Sequence, residues 1–525
     1  MVVTALLACM PVILILFLII RLKISAEWAS LAAYALVILF ALTWCKTAPV
    51  VLAQASLSGV VASLPVVLLM AASLFQIALM EEAGAIQRLA AQIKGIAPDK
   101  QAVQLMLVNV GLGIILTSFG APPGALLPPI MLTLGYGAFA SIALPSIGYQ
   151  ALGSYALLGM PLLLFAGLSG QTLPTVSLHF AVFMPLASLC ITFGMLFLIG
   201  GYKTLREGFA PALIAGLIAG FFPILLAFTG MITLTGLFVG LGVMLALGIY
   251  LKLRKMPHYD ASILTSEDWA AIRKFSLPCA ISPWIIFIMI SLLLNTPALP
   301  LFELTFARLA MPIELIPGAP EQIRIFWQPW FWIFISTLLS IPLLSLHRGQ
   351  IKNSAAIALK RSCRPCLTAL LFFALAYAMI NSGKNADWQL PNIGMNMIQA
   401  FGIVASNLFG RLYPLVAPLI GLTGGFLSNS QTSSLAMFTW LHLTASDNFQ
   451  QSSLLLAAAG GMGASMAGIL SPAKVMMAAS AINQPDSVPE VIKKALPLML
   501  LVAVILGVFT FLVCLFLKIP SPASL

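Results

Sequence analysis

The feature that most limits what this chain can fold into is a series of apolar runs, repeated from end to end. Each is about 17–25 residues long, enough for a helix to cross a hydrocarbon core of roughly 30 Å. The clearest cover residues 4–20, 28–45, 62–80, 103–118, 140–165, 179–200, 209–228, 230–251, 279–296, 328–346, 365–382, 413–427 and 495–517. Segments 124–139, 435–445 and 452–480 are also apolar but are broken by Pro, Gly or Ser. Charged residues make up 8% of the chain, against about 25% in an ordinary soluble domain. The expected fold class is therefore an all-α polytopic membrane protein with about 12–14 transmembrane helices. The first run begins close to Met1, and its basic residues, Arg21 and Lys23, lie on the far flank. It reads as a retained span and not as a cleaved signal peptide.

Charge orients the spans. With Arg21 and Lys23 inside, the loops 81–101, 202–208, 252–278, 347–364 and 483–494 are inside as well. That side then holds 19 of the 26 Lys and Arg residues, a strong positive-inside bias. The net charge of +11 is thus explained by topology. Membrane lipid is the partner it implies, and nucleic acid is not needed. The longest polar cytoplasmic loop, 252–278, divides the chain into two membrane halves, 1–251 and 279–525. The Pro-rich loop 297–327, with Glu303, Glu314 and Glu321, is external. Neither loop is long enough for a soluble catalytic domain.

Between the apolar segments 413–427 and 435–445 lies Gly424-Gly-Phe-Leu-Ser-Asn-Ser-Gln-Thr-Ser-Ser434. Ser428, Asn429, Ser430, Gln431, Thr432, Ser433 and Ser434 all carry hydrogen-bond donors, and none is charged. Irregular polar backbone at membrane depth is tolerable only when it is buried in protein or lines a cavity. One reading is a broken helix that binds a small carboxylate or other anion. The alternatives are a polar external loop, or hydroxyls satisfied on their own helix carbonyls. A shift of 311 positions lays Gly113–Ala125 over Gly424–Ala436, Ser154 over Ser465, and Pro161 over Pro472. Because charge places 81–101 inside and 383–411 outside, the expected relation between the halves is an inverted repeat. In the first half the counterpart of the polar stretch is Phe119-Gly-Ala-Pro-Pro-Gly-Ala125. Its two prolines remove donors and its glycines permit turns, so the helix should break there. A plain interhelical turn is the alternative.

Lys474 is the only basic residue deep in an apolar segment. A lysine at a helix centre costs about 2.5 kcal/mol or more on insertion scales, so it should face a partner or a cavity. It either neutralises a substrate carboxylate, or snorkels or donates to carbonyls freed by Pro472. Cys363-Arg-Pro-Cys366 has the spacing of a metal or redox motif, but no second Cys or His pair accompanies it. His179, His258, His347 and His442 show no ligand spacing and fall near predicted span ends. No cofactor or metal site is expected. A membrane-embedded enzyme would need clustered His, Asp or Glu within the spans, and a primary pump would need a phosphate-binding loop. The residues supply neither.

Three segments give the chain a family likeness. They are Ile96-Ala-Pro-Asp-Lys-Gln101 with Phe119-Gly-Ala-Pro122 and Leu134-Gly135; Phe426–Ser434 with Ala436 and Phe438; and Gly460-Gly461 through Ile469-Leu-Ser-Pro472 with Ala478-Ala479. On these residues the chain resembles the bacterial L-lactate permease family. The resemblance implies a multi-pass protein of the bacterial cytoplasmic membrane that carries lactate, glycolate or related 2-hydroxy monocarboxylates with protons. Three departures stand out. Gly113–Ser118 lacks the acid usual before Phe-Gly-Ala-Pro, Gln431 stands where family members carry Asp, and Ala467-Gly468 replace a Lys before Ser-Pro. No Asp or Glu remains in any predicted span core. Proton coupling would then run through the substrate's own proton, a hydrated path or an ion held by backbone carbonyls.

The expected function is alternating access of a small organic anion around a midplane site. The candidate substrate-binding residues are Ser118, Gly120, Ala121, Pro122, Ser428, Asn429, Ser430, Gln431, Thr432, Ser433, Ser434, Ser471, Pro472 and Lys474. A proton-independent exchanger and a degenerate, non-transporting homologue are the competing readings.

Overall fold

The computed structural model describes residues 1–525 apart from 97–100, 230, 256–258, 295–298, 448–452 and 517–525. The Ala-Pro-Asp-Lys motif at 97–100 and His258 therefore lie outside the described residues. Twelve of the described helices are long and apolar enough to cross a membrane. Four shorter apolar helices accompany them: Pro123–Thr133, Ala138–Ile147, Ser282–Leu294 and Pro329–Ser340. Among the described residues the only sheet is a hairpin pairing Met311–Ile313 with Glu321–Ile323. The chain is an all-α polytopic membrane protein.

Its core is built where glycine lets backbones touch, as helices in lipid require. The long helices Pro49–Ala83 and Arg348–Ile380 run against each other, and a Cβ on Gly59 would stand 2.6 Å from the Phe373 carbonyl oxygen. A second crossing joins Tyr413–Ser428 to Ser453–Met466. There a Cβ on Gly421 would fall 1.7 Å from the Gly460 carbonyl oxygen, and one on Gly463 would fall 1.8 Å from that of Pro418. Ser453–Ala481 is the innermost span, with 94% of its apolar window buried, against 33% for Val2–Ile20 and Ala26–Thr43. Outer helices present Ile13, Phe17, Phe221 and Leu245 on their free faces, where lipid takes the place of a protein partner.

The same succession of elements occurs twice. Pro49–Ala83 leads to the short helix Ala85–Gly95, then to Gln101–Ser118, a break and Pro123–Leu126. Arg348–Ile380 leads to Met397–Phe409, then to Tyr413–Ser428, a break and Gln431–Asp447. A short helix within the polar stretch 252–278, Ser266–Lys274, is docked to the bundle. A Thr265–Asp268 capping box starts the helix Ser266–Lys274, satisfying two orphan N–H donors at once. Lys94 Nζ then reaches Asp268 Oδ2 at 2.7 Å, and Arg88 Nε donates to the Phe275 carbonyl at 3.0 Å. These bonds hold Ser266–Lys274 and Phe275 against Ala85–Gly95.

Candidate functional site

Both expected breaks are present. Tyr413–Ser428 ends at Asn429, whose φ of 59° and ψ of 6° are left-handed, a conformation Asn tolerates better than most residues. Ser430 follows, and its Oγ accepts from the Ser433 N–H at 3.3 Å as the next helix begins. In the first half the chain turns at Gly120, with φ +89°. Ala121 N–H returns to the Leu116 carbonyl at 2.9 Å. Pro122 is extended, and Pro123 opens the short helix Pro123–Leu126.

The polar run divides by how its side chains are satisfied. Ser428 Oγ donates to the carbonyls of Gly424 and Ser430, at 2.7 and 2.8 Å, and Ser434 Oγ to that of Gly421 at 3.3 Å. Ser428 thus serves its own helix, whereas Ser434 ties the helix after the break to the helix before it. Asn429 is 2% exposed, and neither its Nδ2 nor its Oδ1 has a partner. The hydroxyls of Thr432 and Ser433 are half-buried and make no hydrogen bond among the described residues. Gln431 ties the break to other elements. Its Nε2 donates to Ser154 Oγ at 2.7 Å and to the Gly461 carbonyl at 3.0 Å, leaving Oε1 buried and unpartnered.

Around Gln431 gather residues that sequence patterns did not single out as a site. Ser154 lies in the 3-10 segment Gln150–Tyr155, which interrupts the span between Ala138–Ile147 and Ala156–Ser169. Gln150 is 1% exposed, its Nε2 donates to the Ser146 carbonyl, and its Oε1 has no partner. Ser465 Oγ donates to the Gln150 carbonyl. Glycine keeps the cluster tight, since a Cβ on Gly153 would meet Ser465 Oγ at 2.1 Å and Gln431 Oε1 at 2.9 Å. A lone Gln in an apolar run has no periodic signature. The one available signal was that the 311-residue shift pairs Ser154 with Ser465.

Lys474 follows a third break. After Ala467–Ile469, Ser471 is extended and Pro472 opens the helix Pro472–Ala481. Ser471 Oγ is fully buried without a partner. Lys474 is only half-buried, although Ala473 and Val475 beside it are fully buried. It therefore borders space that a water-sized molecule can reach. Its ammonium has no hydrogen-bond or ion-pair partner among the described residues. The five ion pairs found there are Lys94–Asp268, Arg308–Glu303, Arg361–Glu81, Arg364–Glu27 and Lys494–Glu490. The Lys474 helix packs on the first-half break, because a Cβ on Gly124 would lie 3.7 Å from Met477 Cε and 3.9 Å from Ala478 Cβ. Ser118 and Gly120 face elsewhere. Ser118 Oγ donates to the Ile115 carbonyl, and Ser118 packs on Gly236, while Gly120 faces Leu157 and Pro329. Ala121 is buried and Pro122 half-buried, leading into the short helix that meets Lys474's.

His442 is 2% exposed and packs at the start of Tyr413–Ser428. Its Nδ1 lies 2.9 Å from Tyr413 Oη. Among the described residues no group of His, Cys, Asp or Glu is arranged to hold a metal ion.

Bilayer-length helices interrupted at uncharged hydrogen-bonding residues inside the bundle are the architecture of a secondary membrane transporter. Sequence comparison gives the family. The family model for L-lactate permease matches residues 4–517, and the chain belongs to that family. The L-lactate permease of Escherichia coli (strain K12) is 23% identical over 97% of this chain and 95% of that protein. The glycolate permease GlcA of the same strain is 23% identical over 79% of this chain and 78% of its own length. Among solved structures, MtrF of Neisseria gonorrhoeae covers 89% of this chain and 84% of its own at 16% identity. Its TM-score is 0.34, too low to imply a shared fold. Family membership and the apolar spans together make this a multi-pass protein of the bacterial inner membrane.

Proposed function

We propose that the protein moves L-lactate or a related 2-hydroxy monocarboxylate across the cytoplasmic membrane by alternating access. The observation that carries this reading is Lys474, an unpartnered ammonium beside reachable space at a helix start that packs on the first-half break. A substrate carboxylate supplies the charge the protein withholds. The unpartnered amide of Asn429 and the hydroxyls of Thr432, Ser433 and Ser471 then supply donors to a carboxylate and a 2-hydroxyl. The N-terminal N–H groups of the two helices beginning at Gln431 and Pro472 point the positive ends of their dipoles at the same anion. The names of the curated relatives support the substrate class.

The repeated succession of elements supports a related proposal. The halves 1–251 and 279–525, joined by 252–278, form an inverted repeat whose two breaks exchange exposure during transport. Uptake of labelled L-lactate into proteoliposomes tests the reading, beside Lys474→Ala and Thr432→Ala. Saturable uptake is expected, reduced about tenfold or more by the loss of one charge-assisted contact in Lys474→Ala. Uptake by Lys474→Ala equal to the wild type would remove Lys474 from the site.

A further inference from the structure

The polar run 428–434 carries no carboxylate, yet one titratable imidazole is buried in the second half. His442 lies on Gln431–Asp447, between the break and the end of its helix, 11 residues or about 16 Å from Gln431 along the axis. Tyr413 Oη holds its Nδ1, and its Nε2 is buried without a partner. Position 460 makes room for the ring, since a Cβ on Gly460 would stand 2.3 Å from Nε2. The next residue, Gly461, gives its carbonyl to Gln431. One turn of the innermost helix thus touches both the imidazole and the amide at the break.

The surroundings hold almost nothing else that titrates. The helices packed on Gln431–Asp447 are Tyr413–Ser428, Ser453–Met466, Ala156–Ser169 and Met397–Phe409. Tyr413 is the one ionisable residue among them, Asp447 is the last residue of His442's own helix, and Arg411 is exposed two residues before Tyr413. A positive imidazolium in so apolar a setting is costly unless an anion arrives with it.

Resting on the carrier reading above, we infer that His442, anchored by Tyr413, takes up the proton that accompanies the carboxylate. With Nδ1–H donating to Tyr413 Oη, Nε2 carries the free lone pair. It accepts a proton from the external side as the anion binds, so one positive and one negative charge enter together. On the cytoplasmic side the anion leaves, the imidazolium loses its offsetting charge, and Nε2 releases the same proton. No carboxylate in the span cores is required, which accounts for a family member that lacks one.

Two assays in proteoliposomes separate this inference from the carrier reading. One is counterflow of labelled against unlabelled L-lactate without a gradient. The other is accumulation under an inward proton gradient, where about one pH unit sustains about tenfold accumulation in a one-to-one symport. His442→Gln is expected to keep counterflow and to lose accumulation, its ratio falling to about one as the switchable charge disappears. Tyr413→Phe keeps the imidazole but frees it, and should move the pH midpoint of accumulation. Accumulation by His442→Gln with the wild-type pH profile, or an unmoved midpoint in Tyr413→Phe, overturns the role of His442 and leaves the carrier reading standing. Wild-type uptake indifferent to the gradient does the same. Absence of any saturable carboxylate uptake by the wild type overturns the carrier reading and this one with it.

Discussion

Lys474 is half-buried and Gln431 buried, and removing them should affect stability in opposite directions. Lys474 keeps a charge inside an apolar segment at a cost of about 2.5–3.5 kcal/mol on insertion scales, and no group among the described residues pairs with it. Lys474→Met is therefore expected to raise the thermal midpoint in detergent while uptake falls, a trade of function for stability. A lowered midpoint would mean that Lys474 serves the fold. Gln431 is different because its amide bridges Ser154 and the Gly461 carbonyl. Gln431→Leu strands both acceptors and should cost about 1–3 kcal/mol, read as a lower midpoint. The sequence made these two residues visible for different reasons, Lys474 as a lone cation in an apolar run and Gln431 as part of an unbroken polar one. Gln150 and His442 each stand singly among apolar neighbours, where only tertiary contacts distinguish a functional side chain from a tolerated one.

At the scale of elements, the breaks follow from backbone chemistry and were legible for that reason. Gly120, the Pro122-Pro123 pair, Asn429 and Pro472 each favour a conformation a helix cannot continue through. Their packing was not legible, because it depends on what lies opposite. Gly120 and Gly135 both adopt positive φ, +89° and +91°. A Cβ on Gly120 would meet Leu157 at 2.4 Å and Pro329 at 2.6 Å, whereas one on Gly135 meets nothing within 4 Å. Gly135→Ala should cost about 1 kcal/mol of backbone strain. Gly120→Ala adds overpacking of typically 1–3 kcal/mol and should sharply reduce the yield of monodisperse protein. Equal yields from the two variants would show that the first break repacks freely.

For the molecule as a whole, the charge bias predicts which face is cytoplasmic. Cys363 is exposed and unpaired, near the basic start of Arg348–Ile380. With the other cysteines replaced, a membrane-impermeant maleimide should label Cys363 in inside-out vesicles and not in right-side-out ones. Labelling from outside would reverse the orientation derived from the 19 basic residues. Composition and span length made the fold class plain, since few architectures satisfy so many apolar runs. The packing of the Lys474 helix on Gly124 of the first-half break was not readable, because no local pattern states which elements lie opposite one another. The central claim, a proposal, is that Lys474 holds a substrate carboxylate at the breaks. Equilibrium binding of L-lactate and its neutral isostere lactamide to purified wild type and Lys474→Gln tests that claim most directly. The account predicts that the wild type prefers lactate by about tenfold or more, one charge-assisted contact, and that Lys474→Gln loses the preference. An undiminished preference for lactate in Lys474→Gln would contradict it.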